Sequence, residues 1–343
     1  MFSGRALSSD KFTAIRRTTM SHNIFHPAKP QGKRSGLSVR ILMPRGIYPH
    51  TTIAVPGGVY IANGDLVFSI VDATPWDSWG QDSPYTEMDW LMPEEIRFLS
   101  SIFLCQTFDS PPLRMYPQRN PCFLADDRFD IASDADLTTI KEALLNGEDQ
   151  YPMFKNTSVW KKVCKHISTF RRSFEYDLTN LDDFELDRQK AIFAGIDIQD
   201  HVLLRGLATL MKSAMLTAYS EFYEEATMVL FVSLDASLSL VLKRLRARGP
   251  AEPTVKDAAD WVYNTFDKPL GHSKQDEVYF AEFYEKRVMT LHPESRYGTN
   301  AFAPLFHDDQ IYLFNWLVAL YAYLITGDHS CEYRARLQLQ TNR

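Results

Sequence analysis

Arg287 and His292 stand five residues apart in the late part of this 343-residue chain, and their side chains suit phosphodiester chemistry. A histidine titrates near neutral pH and can move a proton to or from a ribose hydroxyl. An arginine can hold a phosphate through two hydrogen bonds and stabilise the charge that develops on it. The pair predicts a site in which Arg287 binds phosphate and His292 acts as general acid or base.

The helix that carries Arg287 would place this cation among apolar side chains. At about 100° per residue, Arg287 falls in the middle of the helix face that holds the apolar residues. An arginine in that position needs a carboxylate, a phosphate or an interface, because burying it unpaired is costly. Pro293 disfavours helical backbone at His292, so we expect the helix to end there and the imidazole to turn back. The residues of the apolar face are Phe280, Phe283, Tyr284, Val288 and Leu291.

A structural role for the same two residues remains open. Arg287 could form an ion pair inside the helical bundle with Asp235, Glu224 or Glu225, and such pairs often serve structure alone. His292 could be a cation at the C-terminal end of a helix, where the helix dipole favours positive charge.

The Arg-x4-His spacing, the preceding Phe283-Tyr284 and the acidic start of an earlier apolar helix resemble the HEPN superfamily of helical-bundle domains. That acidic start is Glu224-Glu225-Ala226, and the helix it opens contains Asp235. The resemblance covers residues 184–330.

The resemblance implies an RNA-directed protein. Active members of the superfamily are metal-independent endoribonucleases that work as homodimers, with both motifs in one cleft, and many belong to toxin–antitoxin, antiphage or RNA-processing systems. Inactive members only bind RNA or partners, so the alternative is a non-catalytic RNA- or protein-binding module. No cofactor is expected. The implied catalytic residues are Arg287 and His292, and the supporting residues are Tyr284, Glu224, Glu225 and Asp235.

The C-terminal half has helical periodicity and short connections, which predicts an antiparallel bundle of five helices. Asp200 would cap the first helix, and Thr254 with Asp257 would form a capping box at the third. The predicted helices run from Asp200 to Tyr219, from Glu221 to Arg246, from Thr254 onward, from Asp276 to Leu291, and from Asp308 to Ile325, where Gly327 follows.

The N-terminal half has short β-type runs instead, so the predicted fold class is α+β. Asn63-Gly64 between two apolar runs predicts a β-hairpin, and Pro93 predicts the start of a helix with Ile96, Leu99 and Phe103 on one face. Residues 108–135 are predicted as loop, and short helices are expected at 137–145 and 158–169. The predicted organisation is a flexible leader (1–36), a β-containing domain (37–150), a connecting segment (151–183), the bundle (184–330) and a tail (331–343).

A net charge of −6 excludes a general polyanion binder, so any RNA contact needs a local basic patch. One candidate patch has aromatic residues interleaved with its cations, which suits single-stranded RNA. A second stretch, at Lys243, Arg244, Arg246 and Arg248, is interpreted as the solvated C-terminal end of a helix. The candidate RNA-binding residues of the first patch are Lys161, Lys162, Lys165, Arg171 and Arg172.

Four widely spaced cysteines and no secretory signal favour a cytoplasmic protein. The apolar runs at 226–242 and 311–325 are interpreted as buried core helices rather than membrane spans. Residues 1–20 are interpreted as a disordered leader or as an upstream extension with Met20 as the start.

His307-Asp308-Asp309 is interpreted as a helix cap and not as a metal site. A further hypothesis is that Trp76, Trp79 and Trp90 bind a small ligand or a protein partner.

Overall fold

An antiparallel sheet and a larger set of helices form the described part of the chain, which confirms the α+β class. The computed structural model describes residues 37–43, 48–64, 66–72, 91–105, 122–124, 129–130, 132–146, 184–217, 220–249, 252–273, 280, 283, 286–288, 290 and 307–341.

The sheet has five strands in the order β2-β3-β4-β1-β5. The hairpin predicted at Asn63-Gly64 is present, since Asn63 Oδ1 accepts the Leu66 N–H at 2.9 Å and Gly64 takes a positive φ of 90°. The strands are β1 (Leu37–Met43), β2 (His50–Val55), β3 (Gly58–Asn63), β4 (Val67–Asp72) and β5 (Cys122–Leu124).

Helix α1 (Pro93–Phe103) covers one face of this sheet. The strand register sets Tyr60 and Arg40 opposite Ser69 from either side, so these three residues share a face. Tyr60 contacts Phe98 of α1 with ring centroids 5.3 Å apart, and Arg40 donates to Glu95 of α1 at 2.6 Å. The predicted face of α1 is buried.

The helical part contains the predicted bundle helices and two that were not predicted. Asp200 caps α4 through the N–H groups of Val202 and Leu203, and the capping box of Thr254 and Asp257 opens α6, as predicted. After α1 the helices are α2 (Asp134–Asn146), α3 (Leu186–Gly195), α4 (His201–Leu216), α5 (Tyr223–Arg246), α6 (Val255–Val262), α7 (His307–Thr326) and α8 (Cys331–Thr341). The fourth predicted helix is helical at 280, 283, 286–288 and 290.

Two predictions need correction, and one helix was missed. The segment 108–135 was predicted as loop, but it contains β5 and the first residues of α2. The predicted tail at 331–343 holds α8, whose Tyr333 hydroxyl donates to the Phe266 carbonyl at 2.7 Å. The helix α3 was not predicted, because only a few of its residues are buried.

One hydrophobic core joins the sheet to the bundle. It runs from Leu42 and Tyr60 in the sheet through α1 to the helices α3, α4, α5 and α7. Ser100 of α1 lies against Met211 of α4, and Gln189 of α3 donates to Ser101 of α1 at 3.2 Å. Residues before and after position 184 therefore contribute to the same core.

The helix α5 is long and apolar enough, by length and composition alone, to cross a membrane. In the structure its buried residues, including Leu230, Phe231 and Leu234, belong to the core. The helices α7 and α8 pass the same test only as a joined pair, and they meet at a bend of 100°. Core helices of soluble proteins meet these criteria as well, so the finding is weak evidence for a membrane span.

Candidate functional site

Arg287 lies on the buried face of its helical segment, as predicted. Phe280, Phe283 and Thr290 are buried, and at about 100° per residue they fall on the same side as Arg287. Val288 is only partly buried, while Thr290, which was not predicted, belongs to the face. The Thr290 hydroxyl donates to the Lys286 carbonyl at 2.8 Å, so a polar side chain is accommodated there.

The guanidinium of Arg287 is engaged by Asp235 of α5. Its Nε lies 2.8 Å and its Nη2 2.7 Å from Asp235 Oδ2, so two donors meet one carboxylate oxygen. The side chain of Arg287 is 22% exposed and that of Asp235 is 37% exposed. The pair therefore lies at the rim of the bundle, where solvent still reaches both charges.

A second ion pair lies beside the first. Lys286 Nζ is 3.0 Å from Asp309 Oδ2 in the first turn of α7, and it also lies over the Phe283 ring. Because α7 begins at His307, Asp308 and Asp309 lie inside its first turn and not at the predicted cap position. The helix dipole favours carboxylates in this first turn. Burial and the charges of Asp309 and Asp308 raise the pKa of Tyr223 to about 12.

The three carboxylates proposed as partners of Arg287 are not brought together. Glu224 and Glu225 lie in the first turn of α5, roughly 15 Å along the helix axis from Asp235. Arg287 pairs with Asp235, and Glu225 is exposed. The local surroundings are rich in carboxylates, which disfavours a phosphate unless cations outnumber them.

Several predicted site residues lie outside the described residues. These are His292, Tyr284, the candidate RNA-binding residues Lys161, Lys162, Lys165, Arg171 and Arg172, the tryptophans Trp76, Trp79 and Trp90, and the predicted helix at 158–169.

The second basic stretch has intramolecular partners, in agreement with its structural interpretation. Lys243 pairs with Asp200 at 2.8 Å, and Arg246 pairs with Glu252 at 2.7 Å. Arg244 lies over the rings of Trp261 and Tyr323, with its Cζ 5.8 and 5.5 Å from their centroids. These three cations at the end of α5 therefore have partners within the chain, and Lys243 and Arg246 remain largely exposed.

Two contacts made by the first turn of α7 were not predicted from the sequence. The pairing of Lys286 with Asp309 joins residues 23 apart, and the buried hydrogen bond from Gln310 to Thr227 joins residues 83 apart. The acidic first turn of α7 was visible in the sequence, but its partner depends on how the helices pack. Within the described ranges, no three His, Cys, Asp or Glu side chains are placed to hold a metal ion.

Comparison with protein-family models, with curated proteins and with solved structures gives no match to this chain. The resemblance to the HEPN superfamily therefore depends on the residues quoted for it.

Proposed function

We propose that this chain is a HEPN-like RNA-binding protein that does not cleave RNA, and that Arg287 serves its bundle as an ion-pair residue. The observation that carries the proposal is the contact of Arg287 with Asp235, in which two guanidinium donors meet one carboxylate oxygen at 2.8 and 2.7 Å. An arginine held in this way has its charge largely balanced before any phosphate arrives.

The surroundings of the pair support the same conclusion. Lys286, the neighbouring cation, is itself engaged by Asp309. The residue after Arg287 is Val288 and the residue after His292 is Pro293, whereas HEPN members often carry a polar residue and a glycine there. In this proposal RNA binds through the basic and aromatic residues of segment 160–174, because stacking and charge together suit single strands.

A second candidate function is a metal-independent endoribonuclease in which Asp235 orients Arg287. The partial exposure of both side chains favours it, because solvent, and hence a phosphate, can reach the guanidinium. In this case Arg287 would exchange one carboxylate contact for a phosphate contact when RNA binds, and His292 would supply the proton transfer.

One experiment separates the two candidates. The wild type, Arg287→Ala and Lys286→Ala are incubated with labelled single-stranded RNA in EDTA, and binding and cleavage are followed together. Lys286→Ala is the matched control, since it removes a cation of equal exposure from the same helical segment. The proposal expects RNA binding without cleavage in all three proteins.

Two other outcomes would contradict the proposal. Cleavage by the wild type and by Lys286→Ala but not by Arg287→Ala would establish the nuclease. An absence of RNA binding in every protein would reject the RNA-directed function altogether. Lys162→Glu with Lys165→Glu, which reverses charge in the basic segment, is expected to weaken binding and make it less sensitive to salt.

A further inference from the structure

Strand β2 forms one edge of the sheet. Among the described strands it pairs only with β3, and its residues His50, Thr52 and Ala54 are exposed. An edge strand presents a row of backbone N–H and C=O groups, which recognise another extended backbone.

The register shows which backbone groups point outward. Val55 and Gly58 close the two-residue turn Pro56-Gly57, so they form a hydrogen-bonded pair. Hydrogen-bonded and non-hydrogen-bonded pairs alternate along an antiparallel ladder. The N–H and C=O groups of Ile53 and Thr51 therefore face β3, whereas those of Ala54, Thr52 and His50 face away from it.

Within the part of the chain that the structure describes, this edge has none of the usual features that prevent pairing. Natural edge strands are blunted by lysine, by proline, by a bulge or by being very short. The sequence of β2, His-Thr-Thr-Ile-Ala-Val, has no acidic residue, lysine, arginine or proline, and its register with β3 is regular over all six residues. The opposite edge differs, because β5 has three residues.

We propose that β2 pairs in antiparallel fashion with β2 of a second copy of this chain, with Thr52 opposite Thr52 and His50 opposite Ala54. The three outward-facing residues are symmetric about Thr52, so a two-fold axis at this residue gives every outward N–H and C=O group a partner, about six hydrogen bonds in all.

The side chains of β2 are compatible with pairing to a second copy of the same strand. Two threonines meet at the axis, which is a favourable cross-strand pair. The one titratable residue, His50, faces an alanine, so no like charges oppose each other. Ile53 and Val55 point to the opposite face and pack against the protein core, so they are not required at the interface. This interface lies in the sheet, apart from the bundle pairing that the HEPN resemblance implies.

The first test is the dissociation constant of the dimer, measured by sedimentation on the full chain at several concentrations. Thr52→Pro removes an outward N–H in each copy but no bond of the β2–β3 ladder, so the fold is expected to persist. We expect Thr52→Pro to weaken the dimer at least about tenfold, because two central hydrogen bonds are lost. The matched control is Thr52→Val, which keeps the backbone N–H and the β-branch, and it is expected to dimerise like the wild type. Circular dichroism confirms that each variant is folded.

The second test fixes the register. In a Cys331→Ser background, which removes an exposed native thiol, Thr52→Cys is expected to form a covalent dimer on mild oxidation. Ala54→Cys would face His50 of the second copy, so it is expected to give none. Monomeric wild type at high concentration, or a dimer that Thr52→Pro leaves intact, would overturn the proposal. An equal yield from both cysteine variants would overturn the register.

Discussion

Two arginine–carboxylate pairs, one between the sheet and α1 and one in the bundle, differ in how far water reaches them. In the sheet, Arg40 Nη1 lies 2.6 Å from Glu95 Oε2 of α1, and the two side chains are 0% and 3% exposed. In the bundle, Arg287 and Asp235 are as close, but 22% and 37% exposed. Arginine–carboxylate contacts of nearly the same length thus occur both in the core and at a rim.

Burial changes what each pair contributes. Removing one partner of a buried pair leaves an uncompensated charge in the core, while the intact pair itself adds little because desolvation offsets the attraction. Burial raises the pKa of Glu95, against the opposing effects of Arg40 and of the Met92 N–H. A pair at the rim keeps most of its hydration, so losing one partner costs much less.

The largest expected effect comes from breaking the buried pair. Glu95→Ala leaves the Arg40 guanidinium without this carboxylate in the core, and we expect the free energy of unfolding to fall by about 3–5 kcal/mol. Urea denaturation of the purified protein measures the loss. Glu95→Ala also removes the acceptor of the Met92 N–H at the start of α1, which adds to the cost.

The control for this prediction replaces both partners at once. Arg40→Met combined with Glu95→Met is expected to recover most of the stability lost in Glu95→Ala, because apolar groups of similar length fill the site without a charge. If the double variant is as unstable as Glu95→Ala, the cost does not come from burying the Arg40 charge without the Glu95 carboxylate.

The next largest loss of stability is expected in the bundle, where Gly206→Ala tests how tightly α4 packs against Tyr321. A Cβ at Gly206 of α4 would lie 2.1 Å from the Tyr321 hydroxyl, which donates to the Ser233 carbonyl. Gly206→Ala must displace this buried ring, and we expect a loss of about 1–3 kcal/mol in a thermal or urea titration.

Gly249→Ala provides the comparison for that substitution. Among the described residues, no atom lies within 4 Å of a Cβ at Gly249, which follows the end of α5. It is expected to change the stability by less than about 0.5 kcal/mol, as surface substitutions usually do. An effect at Gly206 as small as that at Gly249 would mean that the Tyr321 ring accommodates the added methyl group without cost.

The contrast between the pairs also shows what a sequence can predict. The helical period predicted that Arg287 lies among apolar residues and needs a partner. Asp235 was one of three carboxylates predicted as that partner. The selection of Asp235 over Glu224 and Glu225 depends on how the helices pack. Arg40 was not singled out, because the strand Leu37–Met43 gives no sign that α1 will cover it with Glu95.

The features that depend on neighbouring residues in the sequence were predicted correctly. The caps at Asp200 and Thr254 and the turn at Asn63-Gly64 were predicted, since each depends on neighbouring residues alone. The strand β5 was missed because three residues carry too short a pattern and are ordered by pairing with β1. The helix α8 was missed because its sequence is mostly polar, and its place depends on contacts such as that of Tyr333 with Phe266.

A smaller effect on stability is expected from the partly exposed pair of Arg287 and Asp235 at the rim of the bundle. A double-mutant cycle of Arg287→Ala and Asp235→Ala should give a coupling energy of about 0.5–1 kcal/mol, as partly exposed ion pairs do. At about 1 M salt the coupling should nearly vanish, because the Debye length falls to about 3 Å. The cost of Glu95→Ala should be almost insensitive to salt. A salt-resistant coupling above about 2 kcal/mol would place Arg287 with Arg40 as a core residue.

The smallest effect concerns His329, a third ionisable group with intermediate burial. Its ring stacks on Tyr333 at 4.0 Å and meets Tyr323 and Phe266, while Asp328, Arg188 and Arg334 are its charged neighbours. Burial lowers the pKa of His329, the charges of Arg188 and Arg334 lower it further, and Asp328 opposes them.

The sign of the pH dependence follows from that shift. A folded-state pKa below the ordinary value near 6.5 means that the unfolded chain binds the proton more readily. Stability is therefore full above that pH and declines as the pH falls toward the folded-state pKa. His329→Phe keeps a ring in the stack but cannot be protonated, so its stability should fall less between pH 7.5 and 5 than that of the wild type. The difference, measured from urea titrations at each pH, should be under about 1 kcal/mol, because solvent still screens a partly buried ring. A larger fall in the variant than in the wild type would mean that the charged imidazole stabilises the aromatic cluster, which contradicts the lowered pKa of His329.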